Sequence, residues 1–244
     1  MTTPKKSAIV TAASRGIGRA IALRLGLNGT AVAVNYHSNL TAAEQVVGEI
    51  TAGGGSAIAA QGDMGVQADV ERLFDTALER FGGLDILVTN AASQANGKIA
   101  DVTDETFDRA VEVNIKGTFR AMRLAANKLN EGGRVVNIST GCTRAHCPDT
   151  GAYSATKIAG ELLAVALAKE LGHRRITVNS VLPGLVDTDG ILPHVRQQFD
   201  MIASMTPLGR IGQPGDIADI VAYLVSEQAG WITGQSIVAA GGLG

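Results

Sequence analysis

The 244-residue chain carries 45% hydrophobic residues and a formal net charge of −2. That length and apolar content suffice to bury one large core, and a single domain spanning 1–244 is expected. Its scattered Lys and Arg form no basic stripe for nucleic acid, and no apolar run is long enough to span a bilayer. The start, Met1-Thr2-Thr3-Pro4-Lys5-Lys6, lacks a signal-peptide apolar core and a small-residue cleavage site, so a cytoplasmic location is expected.

Short β-rich runs alternate with longer helical patterns, at 8–11, 31–35, 56–60, 86–90, 135–139, 176–182 and 236–239. Alternation of this kind predicts an α/β fold, a Rossmann-type three-layer sandwich with a seven-stranded parallel sheet. Near-continuous apolar runs such as Ile86-Leu87-Val88 suit strands buried on both faces. Between them apolar residues recur at helical spacing, as in Ile17, Ala20, Ile21, Leu23 and Leu25, or Val70, Leu73, Phe74, Ala77 and Leu78. One long irregular stretch, about 184–212, carries Gly184, Gly190, Pro193 and Pro207 with Ile191, Leu192, Val195, Phe199, Met201 and Met205 between them. Beyond a strand's carboxyl end, where such sheets bind ligands, it is expected to be a substrate lid.

Directly after the first strand comes Thr11-Ala12-Ala13-Ser14-Arg15-Gly16-Ile17-Gly18. A chain that must turn, pass a pyrophosphate and start a helix needs small residues where backbone meets phosphate, and Gly16 and Gly18 supply them. At the end of the second strand, Asn35-Tyr36-His37-Ser38 offers no acidic side chain to grip a ribose diol, while Arg15 offers a permanent cation. NADPH/NADP+ is therefore expected over NADH. Tyr153 and Lys157 are spaced one helical turn apart, so phenol and ammonium share a face and the cation is expected to lower the phenol's pKa. Cys142 and Cys147 have no second pair or clustered histidines, and His37, His146, His173 and His194 lie far apart. They read as free thiols and solvent-facing side chains, with no metal site.

These motifs, in this order, resemble the short-chain dehydrogenase/reductase family, whose fingerprint is Thr-Gly-x-x-x-Gly-x-Gly. The resemblance runs from about 5 to 242, with Ala12 in place of the first Gly. A β-carbon there calls for a negative φ, which would leave cofactor affinity unchanged in Ala12→Gly. By the resemblance, Thr11, Ser14, Arg15, Gly16, Ile17, Gly18, Tyr36, His37 and Ser38 belong to the cofactor site, with basic residues at the Arg15 and often the His37 position in NADPH-preferring members. Asp63 and Met64 are implied to flank the adenine. Asn90, Ala91 and Ala92, where the family has Asn-Asn-Ala-Gly, are implied beneath its ribose. Pro183 and Gly184 match a turn beside the nicotinamide, and Thr188 a contact to its carboxamide.

The resemblance also implies a catalytic set. Tyr153 donates the proton, Lys157 supports it and holds the nicotinamide ribose, and Asn114 anchors a water relay to Lys157. The family's Ser lies thirteen residues before the Tyr, which places Thr140 first and leaves Ser139 as the alternate. Overall the chain looks like 3-oxoacyl-thioester reductases and polyketide ketoreductases, reducing a small-molecule ketone, free or thioester-linked. The alternatives are an alcohol dehydrogenase running oxidatively and a non-catalytic NADP-sensing protein; in the enoyl-thioester reductase branch the Tyr and Lys are more widely spaced. A homotetramer is implied through apolar helix faces near 103–129 and 152–171. Arg120, Arg123, Lys128 and Arg196 are candidates for a carrier-protein patch, with unpatterned surface charge the preferred reading, and the loop 141–151 is expected to border the pocket.

Overall fold

The computed structural model describes residues 6–145, 147–191 and 193–243. Expectations resting on the first five residues, on His146 and Leu192, and on the side chain of His194 lie outside the described residues. Seven strands form one sheet: β1 (Ser7–Val10), β2 (Ala31–Tyr36), β3 (Ser56–Gln61), β4 (Ile86–Thr89), β5 (Arg134–Ile138), β6 (Thr177–Pro183) and β7 (Ser236–Ala239). Their order is β3-β2-β1-β4-β5-β6-β7 and every pairing is parallel, as expected.

Strand alternation decides which side chains serve which layer. Ala8, Val10, Ile86, Val88 and Val181 face α1 (Gly16–Leu27) and α2 (Leu40–Ala52), together with the last long helix (Pro214–Leu224). Ile9, Leu87, Val135 and Val178 face the other way, onto α3 (Gln67–Phe81) and two helices described next. Fully burying a side chain such as Leu73, Phe74 or Leu87 contributes about 1.5–3 kcal/mol. The five inner strands, β1, β2, β4, β5 and β6, are thus buried on both faces.

On that second face, α4 (Asp104–Ala110) continues through a π-helical stretch (Val111–Gly117) into α5 (Thr118–Lys128). The wider turn falls on Asn114, and such turns recur at functional sites. Beyond β5 come a single turn, α6 (Cys142–Ala145), and the long α7 (Gly151–Leu171), which packs beside α5. Local chemistry sets the helix ends. Asn39 caps α2 by accepting from Ala42 N–H at 3.0 Å, and Gly82, at φ +76°, closes α3.

After β6 the expected lid holds α8 (Pro193–Arg196) and α9 (Phe199–Met205), followed by α10, the Pro214–Leu224 helix. Its two ends are stitched together. Asp187 N–H donates to Gly212 O at 2.8 Å and Gly212 N–H to Leu185 O at 3.0 Å. Gln213 and Asp216 form a reciprocal cap that starts α10 immediately afterwards. Among the described residues no helix is long and apolar enough to cross a membrane.

The cysteines correct the sequence reading. Cys142 and Cys147 are joined in a disulfide rather than free, because the chain leaves α6 in a tight return that brings their Cα atoms to 5.1 Å. That separation lies within the range a bridge can span. A five-residue spacing carries no such signal by itself. Iodoacetamide is expected to add no label to the native protein and two labels after reduction, read by intact mass. Removing the bridge with a Cys142→Ser, Cys147→Ser pair is expected to cost about 2 kcal/mol of unfolding free energy.

Candidate active site

The carboxyl ends of β1 and β4 lie side by side while their connections leave to opposite faces, which opens a crevice above them. The Gly-rich turn closes one wall. Thr11, buried below it, accepts from the backbone N–H groups of Asn90 and Ala91 at 2.8 and 2.9 Å. Asn90 returns the tie, its Nδ2 donating to Thr11 O and Ala12 O. From β2, Asn35 Oδ1 accepts from Ala12 N–H at 2.9 Å, while its Nδ2 donates to Ala60 O and Gly62 O. One amide thereby joins the turn to the strand ends on its outer side.

Within the turn, Gly16 takes φ +55° and starts α1. A β-carbon at Gly18 would collide with the Ala12 carbonyl and the Asn90 amide, so only glycine allows α1 to sit this close. Ala12 departs from expectation. Its φ is +49°, in the left-handed region, because the Asn35 and Asn90 bonds hold its N–H and carbonyl in place.

Two recesses meet at Ala92. The larger, about 400 Å³, gathers Ser14, Arg15, His37, Ser38, Asp63, Met64 and Ala91 as expected, and adds Asn39 and Arg109. Arg109 Nη2 lies 2.9 Å from both oxygens of Asp63, and His37 Nε2 lies 3.6 Å from one of them. Partial burial works against the charged form, yet the Arg109 bonds and the Gly65 N–H hold the Asp63 carboxyl below its usual range. Arg15 is exposed and, among the described residues, makes no ion pair. Its guanidinium stays available to an anion at the mouth of this recess.

The smaller recess, about 250 Å³, gathers Ile17, Asn90, Ser139, Thr140, Tyr153, Lys157, Pro183, Gly184 and Thr188. Gln94, Ile138, Leu185, Val186 and Ile191 complete it, so the first part of the lid forms one side. Thr11, Gly16, Gly18, Tyr36 and Asn114 line neither recess. Tyr36 packs among core side chains, and Asn114 is spent on neighbours. Its Oδ1 accepts from Ser93 N–H at 2.8 Å, and its Nδ2 donates to Ser93 O and to Thr156 Oγ1. Asn114 therefore holds the segment after β4 against α7 at Thr156, one residue before Lys157.

The two candidate hydroxyls separate. Ser139 is buried and its Oγ donates to Glu161 Oε1 at 2.6 Å. Thr140 stays partly exposed, its Oγ1 accepting only a 3.3 Å bond from Cys142 N–H. Tyr153 and Lys157 both project from the first two turns of α7. Burial pushes the Tyr153 phenol up to about 12, against the lowering expected from Lys157. The same burial pulls the Lys157 ammonium down to about 8, opposed by the charge of Glu161. In the protein alone, desolvation outweighs the pairing that the four-residue spacing predicts.

The donor set fits a dinucleotide carrying an extra phosphate: small residues and a helix amino end at the turn, Arg15 and His37 at one end of the groove, and Tyr153 with Lys157 at the other. Glu161, Asn35, Asn39 and Arg109 were missed from sequence. Arg109 lies 46 residues from its partner, with no local trace of the pairing. Glu161 did leave a signal, an acidic residue on the apolar stripe of α7.

A family profile described as enoyl-(acyl carrier protein) reductase matches residues 11–244. An uncharacterised oxidoreductase of Methylorubrum extorquens is 44% identical over 241 residues, covering 98% of this chain and 97% of its own. Versicolorin reductase of Emericella nidulans is 41% identical over 250 residues, covering 97% and 95%. The crystal structure of the angucycline C-6 ketoreductase LanV with bound NADP matches at TM-score 0.91 and 43% identity, covering 98% of this chain and 95% of LanV.

Left-handed backbone costs an L-residue with a β-carbon about 1–2 kcal/mol, partly offset by the greater freedom of an unfolded glycine. Ala12→Gly is accordingly expected to stabilise the fold by roughly 0.5–1 kcal/mol, seen as a higher urea midpoint.

Proposed function

The chain belongs to the short-chain dehydrogenase/reductase family, and within it we propose an NADPH-dependent ketoreductase that acts on a polyketide-type cyclic ketone. The observation that carries this reading is the recess in which Tyr153, Lys157 and Thr140 stand beside the end of a phosphate-suited groove. The family profile is described as an enoyl reductase, but a Tyr and Lys four residues apart on one helix face favour carbonyl reduction.

NADPH, when bound, supplies the hydride that adds to the carbonyl carbon. Tyr153, with its phenol near 12, is protonated at neutral pH and gives its proton to the carbonyl oxygen. Thr140 donates a hydrogen bond to the same oxygen as negative charge builds on it. Lys157, still largely an ammonium below about 8, stabilises the phenolate until solvent returns the proton. Ser139 is committed to Glu161, which favours Thr140 as the hydroxyl that meets substrate.

A polyketide-type ketone is favoured over a carrier-bound thioester for two reasons. Relatives include versicolorin reductase and LanV, the latter also crystallised with NADP and rabelomycin. The candidate carrier patch is also occupied: Arg120 lies 3.6 Å from Glu112, Lys128 pairs with Asp75, Arg196 with Asp187, and Arg123 stacks on Phe119. The segment 184–212 acts as the lid of a single catalytic domain, with Leu185, Val186, Thr188 and Ile191 meeting substrate and cofactor.

Exposed Phe119, Ile158 and Leu162 on α5 and α7, with Trp231 and Val238 near the sheet edge, support a homotetramer. Sedimentation is expected to read about four times the 25.1 kDa chain; a monomer at micromolar concentration would refute the assembly.

The enzymatic test is cofactor consumption against a panel of cyclic ketones, quinones and acyl thioesters with NADPH and NADH. Turnover is expected with cyclic ketones and NADPH, falling at least about 100-fold in Tyr153→Phe and Thr140→Ala. Arg15→Ala is expected to weaken NADPH binding roughly tenfold and leave NADH unchanged. Thioester turnover alone would redirect the substrate class, and tight NADPH binding without turnover would favour a sensor.

A further inference from the structure

Glu161 is a buried carboxylate, 2% exposed, that the chemistry above does not use. It lies one helical turn beyond Lys157 on α7, among Ala, Leu and Val. Its Oε1 accepts from Ser139 Oγ at 2.6 Å and Thr143 Oγ1 at 2.8 Å, and its Oε2 pairs with Arg144 Nη2 at 2.7 Å. These three donors bracket Thr140, one residue before it and three and four after. Thr143 Oγ1 is also 2.9 Å from the Thr140 carbonyl. Three side-chain donors of the segment therefore converge on one point of the helix that carries Tyr153 and Lys157.

Taking a carboxylate out of water costs several kcal/mol even when it is well paired, and an apolar side chain would fill the same volume without that cost. Packing alone does not account for the charge. We propose that Glu161 is a positioning residue: its carboxylate clamps the Thr140 segment to α7 and supplies the counter-charge that keeps Lys157 an ammonium ion. This rests on the ketoreductase reading of the site, because it assigns Glu161 a task through Thr140 and Lys157.

The surroundings of Lys157 allow such a counter-charge to act. Tyr153 and Glu161 are the titratable neighbours on its own helix. From α6 comes Arg144, already paired with Glu161. The π-helical stretch brings neutral Asn114, with half-buried Glu112 paired to exposed Lys116. Neutral Asn137 and Ser139 come from the β5 side. Burial pulls the Lys157 charge down, and Glu161 is the group that opposes it.

The sign of the electrostatic effect is testable in two directions. Lys157 must hold its proton for turnover, so activity falls as pH rises through its pKa. Losing the Glu161 charge lowers that pKa, so in Glu161→Gln the alkaline limb of kcat/KM for ketone is expected to move about one pH unit lower. NADPH affinity is expected to stay within about threefold, so that the loss falls on turnover. Arg144→Gln removes the cation that offsets Glu161 and is expected to move the limb higher. Glu161→Asp, which keeps the charge, should restore its position.

Limbs that stay in place in both Glu161→Gln and Arg144→Gln would overturn the proposal, as would uniform activity loss at every pH. Arg144 is partly exposed, so its variant carries the test if Glu161→Gln does not fold. Nitrogen NMR of lysine-labelled protein, assigned with Lys157→Met, reads the same titration without turnover. If no ketone is reduced the functional reading fails, while a Lys157 pKa unchanged by Glu161→Gln in that spectrum would refute the counter-charge by itself.

Discussion

Side-by-side packing of β1 and β4, whose connections leave toward opposite layers, is the constraint on which the whole site rests. It opens the crevice, and the buried Thr11 hydroxyl then fixes its walls by accepting from Asn90 and Ala91 N–H groups. Asn35 and Asn90 tie the turn from the two flanking strands, so the backbone that would meet a pyrophosphate is held from both sides by side-chain amides. The left-handed Ala12 is the local cost of that bracing, tolerated because the surrounding bonds over-determine its conformation.

Burial governs the other end of the groove. A phenol and an ammonium placed on one helix face attract, but the α7 face points into an interior where both lose water. The phenol therefore stays protonated and the ammonium becomes easier to discharge. The phenol thus carries a proton at neutral pH and holds it more tightly than a free phenol does. Glu161, set behind the pair and joined to the Thr140 segment, links the protonation state of the site to its geometry.

Much of this was open to reading in the chain. The seven strands were legible as short β-rich runs between helical patterns, and a run such as Ile86-Leu87-Val88 is apolar because both of its faces are buried. Strand-to-helix punctuation marked the Gly-rich turn, and four-residue spacing marked Tyr153 and Lys157. The same spacing misjudged the direction of the phenol's pKa, since helix periodicity gives proximity and says nothing of solvent. Tyr36 looked like a cofactor residue from its place at a strand end, but alternation turns it into the core. The bond between Cys142 and Cys147 came from the path of the loop after α6, which a count of intervening residues does not describe.

The sequence by itself determined the layered α/β fold and the register of the helix that carries Tyr153 and Lys157, because hydrophobic periodicity and local turn chemistry act over a few residues. Only the tertiary structure decided that Ser139 is bound to Glu161 while Thr140 stays partly exposed, that Asn114 braces Ser93 and Thr156, and that Arg109 holds Asp63. It also decided that Glu161 gathers three donors from another element. Those outcomes depend on residues 17 to 46 positions apart meeting across packed elements, where burial and hydrogen-bond competition choose among side chains that look equivalent along the chain.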